Sequence, residues 1–126
     1  MTIGITIANL LKANDALLEL VPESNIFPIV ANEDTSLPMV IYMIDSLGPE
    51  YDKDGWIGDE CNFSVISFSE EYANLQLIAT EVRAALEWKE TNDTNKIYMT
   101  GQDEGFDITS NMFLNKLTFS VVINNY

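Results

Sequence analysis

Apolar side chains recur at Ile3, Ile7, Leu10 and Leu11, a spacing that lines one side of a helix over residues 3 to 13. Asn14 or Asp15 is placed to cap a second, short helix through Leu17, Leu18 and Val21, which Pro22 ends. Ile26 to Val30 is a short apolar run interrupted by Pro28. A proline cannot donate to a strand ladder, so this run predicts an edge strand or a strand start. After the polar loop Asn32 to Ser36, Pro38 opens Met39-Val40-Ile41-Tyr42-Met43-Ile44. That segment is apolar on both sides and predicts a buried central strand. Gly48-Pro49 predicts its end, and Glu50 to Glu60 an acidic loop. Cys61 to Phe68 then places Cys61, Phe63 and Val65 on one side of a further strand.

The clearest periodicity lies in residues 69–88. Tyr72, Leu75, Ile78, Ala79, Val82, Ala85 and Leu86 follow the spacing of one helix stripe, with Ser69 as the expected N-cap. Glu70 and Glu71 suit the positive end of the helix dipole, and Arg83 and Lys89 the negative end. Thr91 to Asn95 is a polar connection. Ile97 to Met99 and Met112 to Ile123 predict strands, separated by a Gly101 to Ser110 stretch; Leu117, Phe119 and Val121 share a face of the last. The predicted order is α-α-β-β-β-α-β-β. It implies an α+β fold: a mostly antiparallel sheet packed against one long helix (69–88) and an N-terminal helical segment, in one domain over residues 1–126.

Charge narrows the function classes. The chain has 20 Asp plus Glu against 6 Lys plus Arg, a net charge of −14, while 47% apolar residues are enough to build a core. Such acidity argues against binding nucleic-acid phosphates, whose affinity comes from basic side chains releasing counterions. A grip on anionic lipid fails for the same reason. With no histidine, His-based triads, His proton shuttles and His-ligated zinc are excluded. The single cysteine, Cys61, excludes an intrachain disulfide and has no histidine to activate it. No basic leader precedes Thr2-Ile3-Gly4-Ile5, and no apolar run approaches the roughly 20 residues that span a bilayer. The expectation is a cytoplasmic protein that is not an enzyme and needs neither metal nor cofactor.

The most unusual stretch is Glu50 to Glu60, a candidate partner interface. It holds five acids (Glu50, Asp52, Asp54, Asp59 and Glu60), two glycines and the aromatics Tyr51 and Trp56. Exposing two large aromatics on a plain connector gains nothing, so they either cover the edge of their own domain or anchor a partner in a loop that orders on binding. A calcium loop aligned on Gly55 would take Glu50, Asp52 and Asp54 as ligands. Its twelfth position would then be Cys61 where a bidentate Glu is required, and its flanks read as strands. Gly101 to Asp107 is a second acidic segment, read as a solvated loop.

The order of these features resembles the phage tail terminator family, also called tail-completion or tail-to-head joining proteins. The likeness is carried by Ala16-Leu17-Leu18-Glu19-Leu20-Val21, then Asn25-Ile26-Phe27-Pro28 with Phe where the family has Tyr. It continues through Leu37-Pro38-Met39-Val40-Ile41-Tyr42, Val65 to Ser69, the helix from Ser69-Glu70-Glu71-Tyr72-Ala73 to Leu86, and Leu117-Thr118-Phe119-Ser120-Val121. The resemblance implies a structural protein of a phage or prophage that assembles as a ring, usually of six copies, on the head-proximal end of the tail tube. Its implied partners are further copies of itself, the tail tube protein and the head connector protein. DNA passes through such a ring without being bound, and no membrane is involved. The implied location is the bacterial host cytoplasm during assembly and then the tail or neck of the virion. An acidic DNA mimic that blocks a nucleic-acid-binding enzyme is the alternative that the charge allows.

Overall fold

The computed structural model describes residues 3–32, 34–92 and 94–123, apart from the side chains of Asp52, Trp56 and Ile57. Helix α1 (Ile3–Lys12) buries Ile3, Ile7, Ala8 and Leu11, one side of the cylinder, as the spacing predicts. Helix α2 (Asp15–Leu20) is capped by Asn14, whose Oδ1 accepts the Ala16 and Leu17 backbone N–H groups at 3.1 and 3.4 Å. The other end of that amide donates to the Glu81 carbonyl at 2.9 Å. One side chain thus starts α2 and ties it to helix α3 (Tyr72–Leu86).

Five strands are described: β1 (Ile26–Pro28), β2 (Met39–Asp52), β3 (Gly55–Ser69), β4 (Tyr98–Asp107) and β5 (Met112–Ile123). Their order across the sheet is β1-β2-β3-β5-β4. The β1–β2 pair is parallel and the others are antiparallel. Pro28 stands in an edge strand, where its missing donor costs no ladder bond.

Alternation divides the sheet into two faces. Val40, Tyr42, Phe63, Val65, Leu117, Phe119 and Val121 point to one of them. They join buried side chains from all three helices, among them Ile7, Leu17 and Val82, in a single core cluster. Phe63 and Phe119 stack there with ring centroids 5.3 Å apart. Leu75, Ile78, Val82 and Leu86 are fully buried on α3. Tyr72, expected in the same stripe, is 49% exposed, because it sits at the end of the sheet with its ring edge-on to Phe113.

Three expectations are corrected. Gly48-Pro49 does not end β2, which runs on to Asp52 with register shifts between Ile44 and Ser46 and between Glu50 and Tyr51. β1 pairs with β2 only from Val40 to Tyr42, so Pro49 lies on a free edge where no donor is required. The Gly101 to Ser110 stretch is not a loop: most of it is β4, paired with β5 from Tyr98 to Asp107. The long helix starts at Tyr72, not at Ser69. Ser69 still belongs to β3, and its Oγ accepts the Glu71 N–H at 3.2 Å in the turn between them. The helix ends at Leu86. The Trp88 N–H donates to the Ile97 carbonyl at 2.6 Å, and the Ile97 N–H donates to that of Lys89 at 2.9 Å, which steers the chain into β4.

Candidate interaction surface

Residues Glu50 to Glu60, expected as an acidic hairpin loop, do join two strands as a hairpin, but most of them are in the ladder and form the tip of a long β-hairpin. Their ladder runs through Pro49 opposite Asp59, Glu50 opposite Gly58, Tyr51 opposite Trp56 and Asp52 opposite Gly55. Only Lys53 and Asp54 remain as the turn. Gly55 has φ +121°, a conformation that side chains rarely adopt. Gly58 has φ +149°, and a Cβ there would lie 2.6 Å from the Ile123 carbonyl oxygen. The two glycines therefore serve the turn and a close strand crossing, not flexibility. Among the described residues, β5 follows β3 only as far as Asp59 opposite Ile123, so the tip stands beyond the rest of the sheet.

The hairpin brings Glu50 and Glu60 together and sends Asp59 to the other side of the ladder. The Glu60 carboxyl shares a hydrogen bond with Glu50 and raises it from its ordinary value, with desolvation and the Glu60 charge adding to the effect. Ser120 Oγ is 3.5 Å from Glu60 Oε1. Tyr51 is 68% exposed near the turn, and Asp54 is exposed in it. The side chains of Asp52 and Trp56 lie outside the described residues, so the expected anchor role of Trp56 is carried by its position opposite Tyr51 alone. The strands flanking the tip leave no helix–loop–helix for a calcium loop. Among the described residues, no three acidic or thiol side chains gather into a cation-binding group.

Elsewhere the candidate chemistry is bound up in structure. Cys61 is fully buried, and desolvation, helped by the Asp45 carboxylate, pushes its thiol up to about 11. Glu104 of β4 accepts from the Tyr72 hydroxyl and from Gln76 Nε2 at 3.2 Å, which together hold it below its ordinary value.

Sequence reasoning missed the second face of the sheet, which no described helix shares. Met39, Phe68 and Leu114 form one row of register partners across it. Ile41 and Ile66 begin the next row, flanked by Phe27 on one side and by Lys116 and Asp103 on the other. These apolar side chains are only part-buried, apart from Ile41, which is 9% exposed yet stands outside the core cluster. Further along come Asp45, which accepts from Ser64 Oγ, and then the Glu50–Glu60 pair. The signal was present in Val65-Ile66-Ser67-Phe68, where apolar residues fall on both sides of one strand.

No protein-family model and no curated protein matches the chain. Among solved structures, the chain is similar to one from a structure described as the virion of native gene transfer agent (GTA) particle. The TM-score is 0.81 at 16% sequence identity, and the match covers 94% of this chain and 92% of that one. Likeness at this identity establishes the shared α+β fold.

Proposed function

We propose that this chain is a structural protein of a phage-like virion, placed at the head-proximal end of the tail tube. There a ring of copies stops tube growth and joins the tube to the head connector. The observation that carries the reading is the fold likeness to a gene transfer agent virion chain along nearly the whole of both molecules. The resemblance of the motif order to tail terminators supports the finer assignment.

The sheet offers what ring assembly requires. A closed ring is built from head-to-tail contacts that repeat after a fixed rotation, so each subunit must present two different surfaces. The sheet has two different open edges among the described residues: β4 on one side, and β2 beyond Tyr42 on the other. Open strand edges are templates for pairing with another chain. The net charge of −14 suits a conduit that passes DNA without holding it. In this role the protein performs no catalysis, and the hairpin tip carrying Tyr51 and Trp56 meets a neighbouring subunit or the tube. The DNA-mimic alternative has only the net charge in its favour.

Negative-stain images of the protein mixed with its own tail tubes test the proposal. A cap of density at one end of each tube, with tube growth arrested, is the expected result. Tubes that keep growing uncapped overturn the terminator role. Absence of the chain from purified particles by mass spectrometry overturns the virion role itself.

A further inference from the structure

The open face of the sheet is polarised along its strands. At one end lies the row Met39, Phe68 and Leu114; at the other lie Glu50 and Glu60. Phe68 and Glu60 are eight positions apart on β3, which corresponds to about 27 Å of extended strand. Ile41 is nearly buried, so the accessible apolar surface at this end is that of the part-buried Met39, Ile66, Phe68 and Leu114. Among the described residues, the cation that the ladder places on this face is Lys116, opposite Asp103 on the neighbouring strand, with Lys53 in the turn at the far end. Asp45, Glu50 and Glu60 are left as a strip of negative charge. Glu50 and Glu60 hold their carboxyl groups against each other, an arrangement that a positive group would relieve.

We infer that the open face is the docking surface for a protein partner that presents apolar side chains to the Met39–Phe68–Leu114 row and lysine or arginine to the Glu50–Glu60 pair. Charge complementarity selects this occupant. A second copy brings another −14, with only six cationic side chains, of which Arg83 is paired with Glu87 at 3.0 Å. Nucleic acid and anionic lipid are repelled by the same strip. Apolar contact supplies the affinity, while the charges set orientation and association rate. The inference does not depend on the virion role, because it rests only on the composition and register of this face.

The test uses the full chain, isotopically labelled, and a synthetic peptide with Leu-Thr alternation in one half and Lys-Thr alternation in the other. The control peptide carries Glu in place of Lys. The expected result is saturable binding by the Lys peptide alone. Amide shifts should be confined to β2, β3 and β5 residues of the open face, and binding should weaken with salt. The Glu50→Gln, Glu60→Gln double variant weakens binding about fivefold, and Phe68→Ser about tenfold or more, in line with rim charges and apolar anchors respectively. The double variant keeps the core untouched, so it decides the matter if Phe68→Ser fails to fold. Overturning results are no saturable binding, shifts centred on the helices, equal binding of the Glu peptide, or binding indifferent to the double variant.

Discussion

The two faces of the sheet are made by the same strands, one residue out of step, and they differ in what covers them. On β3, Cys61, Phe63, Val65 and Ser67 are at most 1% exposed beneath the helices. Their neighbours Asn62, Ile66 and Phe68 are part-buried on the open side, where only the small Ser64, which donates to Asp45, is fully buried. Hydrophobicity alone does not separate Val65 from Ile66. The helices do, because three amphipathic stripes can cover one face and leave the other to a different occupant. An apolar residue in a strand therefore reports that some surface is to be covered, not which molecule covers it.

The largest test of this contrast compares one truncation beneath the helices with one on the open side. Leu86→Ala, at a fully buried position, should cost about 2–5 kcal/mol in denaturant unfolding, the range for large-to-small changes in cores. Phe68→Ala should cost less than half as much in the free protein. Equal losses would mean that the open face is part of the core.

The thiol beneath the helices gives the next largest effect. Cys61 is raised from 9.0 to about 11, and its neutral form is the one the fold accommodates. The stability this contributes is fully present below pH 9, where the unfolded thiol is also neutral. It is lost as pH rises from about 9 to about 11, because only the unfolded state ionises there. The loss should approach about 2–3 kcal/mol, from two pK units of roughly 1.4 kcal/mol each. Relative to Cys61→Ala, wild type should show this steeper alkaline decline in pH-dependent melting; parallel curves would place the thiol in contact with water.

A smaller effect separates two glycines of the long hairpin. Gly58→Ala meets the Ile123 carbonyl oxygen at 2.6 Å in a positive-φ conformation and should cost about 1–3 kcal/mol. Gly48→Ala has nothing within 4 Å and should leave the melting temperature nearly unchanged. If both behave alike, the β3–β5 crossing at the root of the tip is looser than described.

The smallest effect is on the open face. Glu50→Gln removes one half of a like-charge pair, so it should raise the melting temperature slightly at neutral pH and not at all in acid. The sign follows from the raised Glu50 value: the wild-type pair is favourable when protonated and loses that contribution as pH rises. A lower melting temperature at neutral pH would mean that Glu50 carries a favourable contact of its own.

The tip is where residue composition and structure disagree most. Gly48, Pro49, Gly55 and Gly58 are all loop formers by composition, and four of the five acids lie between Asp52 and Glu60. They stand in a ladder because Pro49 is on an unpaired edge, Gly55 follows the turn, and Gly58 crosses close to β5. Each exception depends on a neighbouring strand that is distant in sequence. Gly101 to Asp107 misled in the same way, since β4 is an edge strand whose side chains are mostly solvated and carry little apolar alternation.

Local chemistry, by contrast, needed no partner to be legible. The stripes on α1 and α3, a cap at Asn14 or Asp15, an edge or starting position for Pro28 and the buried side of Cys61, Phe63 and Val65 follow from periods of 3.6 and 2 and from single-residue backbone rules. So does the exclusion of histidine-dependent chemistry and of an intrachain disulfide, which follows from having no histidine and one cysteine. Tertiary structure alone decided the parallel pairing of β1, the length of the hairpin, the meeting of Glu50 with Glu60 and the existence of an open apolar face. These depend on which strands become neighbours and on which side the helices fold. Such choices are made by summed burial over the whole chain, and no single window of residues contains them.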